Sequence, residues 1–197
     1  MFKDLKQIYL IRHGATQENN AGILIGQIDP PLSEDSKCQI KQLKFPREPA
    51  AIYSSPLRRA AETACLLFSD KSVTLDSDLK ERGFGDFEGK PFADLTLNID
   101  GRETYAFRDE ETLVKNNGEP LNILESRILR FKRTLMNTDA DVIAVVSHGT
   151  LISHMIRVFF AEESRRHSPG NLNVVYFTLD ENGSVSGLRY NIPILEL

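Results

Sequence analysis

Two histidines in this chain stand in the same local setting. Ile8-Tyr9-Leu10-Ile11 runs into Arg12-His13-Gly14, and Val142-Ile143-Ala144-Val145-Val146 runs into Ser147-His148-Gly149-Thr150. A short apolar run closed by polar residues and a glycine reads as a buried strand of a parallel sheet. Residues just past the carboxyl ends of such strands are where open α/β sheets keep ligands. Side by side, the two strands would aim two imidazoles at one crevice. Arg12 supplies a guanidinium fork matched to phosphate or carboxylate oxygens. It also disfavours the imidazolium form, which leaves His13 a neutral nucleophile. Gly14 lets the backbone bend close to a ligand.

Two further stretches carry chemistry-bearing residues. Ser54-Ser55-Pro56-Leu57-Arg58-Arg59 places an arginine at the start of a helix, where free N–H groups already favour an anion. Spacing alone leaves Arg58 and Arg59 both open. Glu81-Arg82-Gly83-Phe84-Gly85 sets a carboxyl group among aromatics, where partial burial would bring it toward an acid/base role. Asp86, Glu88 or Glu119 could share that role with Glu81. His154 and His167 read as a helix residue and a loop residue without chemistry.

The elements that must position these residues follow from punctuation and period. Strands are expected at 8–12, 50–53, 72–75 and 142–146, with a closing hairpin of 173–179 and 185–190. Residues 14–31 read as a loop. Helices are expected at 33–43, from Ser55 as N-cap and Pro56 as first residue through Phe68, at 121–136 and at 151–160. Residues 81–120, rich in glycine and aromatics, read as a surface excursion with one or two short helices. The aromatics Phe84, Phe87, Phe92, Tyr105 and Phe107 would line an apolar pocket or form the excursion's own small core. Strands alternating with helices argue a three-layer α/β fold with a mostly parallel sheet.

Composition narrows the class. A chain of 197 residues fits one domain over 1–197, with the lid-like excursion at about 85–120. A net charge of −4 without a basic block gives no support to a nucleic-acid partner. The N-terminus lacks an apolar signal segment, and no apolar run reaches a membrane span, so no membrane partner is expected. Cys38 and Cys65, in no metal or redox spacing, read as free thiols of a cytoplasmic protein.

These residues, taken in order, resemble the histidine phosphatase superfamily, also called phosphoglycerate mutase-like. The matches are Arg12-His13-Gly14-Ala15-Thr16 with Asn19, then Gly26 with Asp29-Pro30-Pro31-Leu32-Ser33-Glu34. They continue with Ser55-Pro56-Leu57-Arg58-Arg59-Ala60, Glu81-Arg82-Gly83-Phe84-Gly85, Asn117-Gly118-Glu119 and Ser147-His148-Gly149. The resemblance implies an α/β/α fold and a phosphohistidine formed on His13. It implies that Arg12, Arg59 and His148 hold the phosphoryl oxygens, and picks Arg59 over Arg58. It makes Glu81 the proton donor, and it implies phosphate contacts from Asn19 and from a backbone N–H near Gly26. No metal or cofactor is implied.

Within the family, Phe92 and Phe84 stand where the mutases carry a lysine and a tyrosine, and Arg102 and Arg108 are not paired. These departures favour a phosphatase of a small phosphomonoester over a cofactor-dependent phosphoglycerate mutase. Stretches 26–33, 84–89 and 117–119 are similar to α-ribazole phosphatases, which suggests α-ribazole 5'-phosphate as a substrate, and to small broad-specificity phosphatases. A non-catalytic phosphate-binding module would lack His13, Glu81 or His148, and all are present. A Rossmann-type binder would need Gly-x-Gly-x-x-Gly after the first strand, and none is there. A monomer and a homodimer are equally compatible with the sequence.

Overall fold

The computed structural model describes residues 5–99, 101–161 and 168–197, so His167 lies outside the described residues. In chain order come β1 (Lys6–Arg12), α1 (Gln17–Asn20), α2 (Glu34–Gln42), β2 (Ala51–Ser54), α3 (Arg58–Leu67) and β3 (Thr74–Leu75). The middle of the chain holds β4 (Thr96–Ile99), β5 (Arg102–Tyr105), α4 (Glu110–Lys115) and α5 (Leu121–Asn137). It closes with β6 (Val142–Ser147), α6 (Gly149–Phe160), β7 (Asn173–Leu179) and β8 (Val185–Pro193).

The main sheet has the order β3-β2-β6-β1-β7-β8. β3, β2, β6 and β1 run parallel, and β7 and β8 add an antiparallel hairpin at one edge. Alternation along each strand sends side chains to opposite faces. Ile8, Leu10, Ile143, Val145, Val175 and Phe177 pack against α5 and α6. Tyr9, Ile11, Ile52, Ala144, Val146 and Val174 pack against α2 and α3. The expected three-layer architecture is therefore present. Each fully buried aliphatic side chain contributes about 1.5–3 kcal/mol relative to exposure.

Three expectations are corrected. The stretch 14–31 contains α1, a single turn whose N-cap Thr16 and third residue Asn19 bond each other's backbone N–H groups in a capping box. The third strand shortens to Thr74–Leu75. Ser55 does not cap α3. That helix begins at Arg58 after Leu57, and Asp29 Oδ1, from the distant loop, accepts from Arg58 N at 2.5 Å.

The excursion holds a two-stranded hairpin, β4 with β5, that the reading of short helices missed. Its aromatics pack on one another. Phe107 meets Phe84 at 5.3 Å, Phe92 at 5.8 Å and Tyr105 at 5.3 Å between ring centroids. With Leu24, Phe87, Leu95 and Leu113 they form a separate small core. Of the two roles open for these rings, the internal core is the one observed. Replacing the buried Phe107 by alanine is expected to destabilise the chain by roughly 3–5 kcal/mol, read as a lowered urea midpoint. A midpoint shift below 1 kcal/mol would instead mark the ring as a surface free to meet a ligand.

Candidate active site

β1 and β6 pair in register with Arg12 opposite Ser147, so the chain leaves the sheet twice at one level. His13 N donates to Ser147 O at 2.9 Å, and the His13 and His148 rings lie 5.1 Å apart. The two strand ends thus bring both imidazoles into one crevice, where both are buried. Gly14 is required here for packing: a Cβ on it would overlap Ser36 Oγ of α2. Its N–H donates to Thr63 Oγ1, which in turn bonds Arg59 O, tying the loop to α3.

Arg59, on the first turn of α3, is only 1% exposed. Its Nε donates to His13 Nε2 at 3.2 Å, its Nη1 to Ile28 O at 2.9 Å and its Nη2 to Gly26 O at 2.7 Å. Arg58 turns outward to Glu62, so the ambiguity between the two arginines is resolved by burial. A guanidinium has no acceptor, so His13 Nε2 must carry the lone pair. The ring proton then sits on Nδ1, 2.6 Å from the Gly14 carbonyl. Burial, then the Arg59 and Arg12 charges, hold the His13 pKa well below the ordinary histidine value.

Arg12 donates through Nη1 to Pro169 O at 2.8 Å. Its buried Nε has no partner among the described residues. His148 is the N-cap residue of α6, and its Nε2 lies 2.8 Å from Ser55 Oγ. His148 Nδ1 is likewise buried without a partner among the described residues. Burial, with Arg59 and His13 next, lowers the His148 pKa well below the ordinary value.

Glu81 has a different setting from the aromatic one expected. Oε1 accepts from Arg82 N at 2.8 Å and Leu151 N at 2.9 Å, and Oε2 from Thr150 N at 3.0 Å. The carboxyl group therefore sits on the first turn of α6, at the positive end of that helix. The other carboxylates are occupied. Glu88 binds the N–H groups of Gln27, Ile28 and Phe84. Asp86 holds Asn117, and Glu119 pairs with Arg127.

Asn19 Oδ1 accepts from Thr16 N at 3.2 Å and Asn171 Nδ2 at 3.4 Å, so this side chain has a structural duty. Gly26, at φ +57°, turns its carbonyl to Arg59, and any Cβ there would overlap the Glu88 carboxylate. His154 donates from its ring to Thr150 O within α6, as expected of a residue without chemistry. Residues missed at the sequence level are Ser55, which supports His148, Asn171, whose Nδ2 holds His13 O at 2.9 Å, and Arg127. Ser55 was visible as a polar residue just past a strand end, the same signal that marked His13. Asn171 and Arg127 carry no local signal.

A mixed, mostly parallel sheet between two helical layers, with two buried histidines and two arginines gathered at its strand ends, defines the class as a three-layer α/β/α protein. The chain belongs to the histidine phosphatase superfamily (branch 1), whose model matches residues 8–191. It is similar to the adenosylcobalamin/alpha-ribazole phosphatase of Salmonella typhimurium, 32% identical over 158 residues covering 76% of this chain and 77% of that one. It is also similar to the glucosyl-3-phosphoglycerate phosphatase of Mycolicibacterium vanbaalenii, 28% identical over 162 residues, covering 76% and 72%. The phosphoglycerate mutase of Bacillus anthracis shares the fold, with a TM-score of 0.78 at 20% identity over 96% of this chain and 94% of that one.

The two neutral imidazoles make stability depend on pH. Below about pH 6.5 the unfolded chain binds a proton at each histidine, while buried His13 and His148 in the folded chain do not. Stability is therefore complete above the unfolded value and is lost as pH falls from there toward the depressed folded values. The slope approaches roughly 1.4 kcal/mol per pH unit for each imidazole. Denaturant unfolding of the native chain and of His148→Asn between pH 7 and 5 should show the shallower slope in the variant. Equal slopes would mean that His148 is already protonated in the folded chain.

Proposed function

We propose that this chain hydrolyses phosphomonoesters through a phosphohistidine on Nε2 of His13. The observation that carries the reading is the His13 Nε2 lone pair met by Arg59 Nε at 3.2 Å, with the His148 ring 5.1 Å away and the Arg12 charge acting on the same imidazole. A phosphoryl group seated there would receive donors from Arg12 and Arg59. Ser55 Oγ already accepts from Leu57 N and is able to donate to His148 Nε2, which puts the imidazole proton on Nδ1 to face the phosphate. Charge-assisted donors aimed at the phosphoryl oxygens carry most phosphoryl-transfer catalysis. On binding, the Arg59 Nε–H passes from the lone pair to a phosphoryl oxygen, which frees Nε2 to attack.

The first step forms the N–P bond and breaks the P–O ester bond. Glu81 relays the proton of the phosphomonoester monoanion to the leaving oxygen and remains a carboxylate. In the second step water attacks phosphorus and Glu81 takes a proton from it. The N–P bond breaks, and phosphate leaves with the enzyme restored. In this reading the charge stabilisation comes from arginines and histidine, so no metal takes part. Asn19 and the loop at Gly26 add polar contacts to the phosphate. The substrate is a small metabolite ester, and the resemblance to an α-ribazole phosphatase favours α-ribazole 5'-phosphate. Exposed free thiols at Cys38 and Cys65 suit a cytoplasmic setting. No helix among the described residues is long and apolar enough to cross a membrane.

Phosphate release from α-ribazole 5'-phosphate, 3-phosphoglycerate and an aryl phosphate, measured in chelator, tests the reading. Hydrolysis is expected to persist in chelator. It should vanish in His13→Ala together with the alkali-stable phosphoenzyme, and fall about 10²–10³-fold on the alkyl esters in Glu81→Gln. Conversion of 3- to 2-phosphoglycerate with a bisphosphoglycerate primer, without hydrolysis, would make the chain a mutase instead. Full activity in His13→Ala would overturn the phosphohistidine.

A further inference from the structure

We infer that the buried ion pair of Arg127 and Glu119 is the device that positions Glu81 for proton transfer. The inference rests on the reading of Glu81 as proton donor and base. Arg127 lies on α5 with its side chain 7% exposed, and the Glu119 side chain is 12% exposed. The pair is bidentate, Nε to Oε1 at 2.7 Å and Nη2 to Oε2 at 2.9 Å. The rest of the guanidinium donates to the backbone just ahead of Glu81 and to Glu81 itself. Nη1 reaches Asp78 O at 2.7 Å and Lys80 O at 2.6 Å, and Nη2 reaches Glu81 O at 3.2 Å. Glu119 Oε2 accepts from Gly83 N at 3.2 Å on the other side. One ion pair thus brackets residues 78–83.

The same segment is fixed from two further directions. Arg82 donates through Nε and Nη2 to Glu119 O and through Nη2 to Glu110 Oε2 at 2.5 Å. Glu110 Oε1 accepts from Leu121 N at the start of α5. The Glu81 carboxyl hangs on the Thr150 and Leu151 amides of α6. The main chain of Glu81 is therefore set by α5 and its carboxyl by α6. A buried pair of this kind contributes little net stability over apolar residues of the same size. What it fixes is geometry, and a displacement near 1 Å at a reacting group costs on the order of 10²-fold in rate. No atom of the pair bonds His13, Arg12, Arg59 or His148, and the bracketed segment reaches their surroundings through single hydrogen bonds, Gln27 Nε2 to Glu81 O at 3.0 Å and Ser147 Oγ to Leu79 O at 2.9 Å.

This separation gives the test. A proton donor matters for a poor leaving group and hardly at all for 2,4-dinitrophenolate, whereas phosphate binding matters equally for both. Arg127→Met and Glu119→Gln are compared with Glu81→Gln on an alkyl phosphate and on 2,4-dinitrophenyl phosphate. Phosphoenzyme is followed after alkali quench. Arg127→Met is expected to slow the alkyl ester by about 10–10²-fold. It should leave the 2,4-dinitrophenolate burst within about three-fold and let phosphoenzyme accumulate, the same pattern as Glu81→Gln. Glu119→Gln, which keeps the shape of the side chain, should show the pattern more weakly and carries the comparison where Arg127→Met does not fold. Equal losses on both esters in both variants would mean a general loosening and overturn the inference. So would leaving-group dependence confined to Glu81→Gln. If Glu81→Gln itself shows none, the proton-donor reading fails, and the positioning role falls with it.

Discussion

The structure turns on one contact, the Arg59 Nε–H directed at the Nε2 lone pair of His13. A guanidinium that far from water and that close to an imidazole permits only the neutral ring, and only one of its tautomers. Both conditions suit attack on phosphorus. The contact requires α3 to start at the level where β1 ends, and that requires β2 and β1 to flank β6 in one parallel sheet. The strand order is thus tied directly to the protonation state of the ring.

Holding that guanidinium buried imposes further demands. Burial lowers the pKa values of both Arg59 and Arg12, and the Glu81 charge opposes the effect. Carbonyls of Gly26 and Ile28 take two of the Arg59 donors, so the loop carrying them must stay in place. Glu88 holds it by accepting from the Gln27 and Ile28 amides. Its carboxylate lies in the space a side chain on Gly26 would fill, which makes the glycine a condition of the clamp. The carboxylates around the pocket therefore divide by partner. Glu88 and Glu119 hold main chain in position, Asp29 accepts from the first N–H of α3, and Glu81 sits on the first turn of α6 with its charge acting on both arginines.

How much of this was legible in sequence depends on the range of each interaction. The two His-Gly strand ends, the helical period of 121–136 and the closing hairpin are local patterns, and each appears as expected. The start of α3 is not local. Ser55 and Pro56 make a plausible cap, yet the Ser55 hydroxyl is engaged by His148, and the N–H of Arg58 finds Asp29 from 29 positions away. The β4–β5 hairpin did have a local signal, the Asp100-Gly101 dipeptide between two runs of β-prone residues. The surrounding glycines and aromatics masked it. Arg127 read only as a helix residue, because its partners at 78, 80, 81 and 119 converge on it only in three dimensions.

The excursion also bears on phosphatase against mutase chemistry. A mutase must hold a second anionic group while the phosphoryl group returns to the other oxygen, and that takes cations grouped above the phosphate. Phe92, at the position of the mutase lysine, packs on Tyr105 and Phe107 at 5.7 and 5.8 Å. Arg108 lies over the Tyr105 ring at 5.2 Å. Arg102 belongs to β5, opposite Ile99. Phe92 and Arg108 are thus engaged in the excursion's own packing. In the proposed reading the phosphate-facing groups are shared between the two chemistries, and the packing of Phe92 and Arg108 within the excursion favours water over a second substrate hydroxyl as the acceptor.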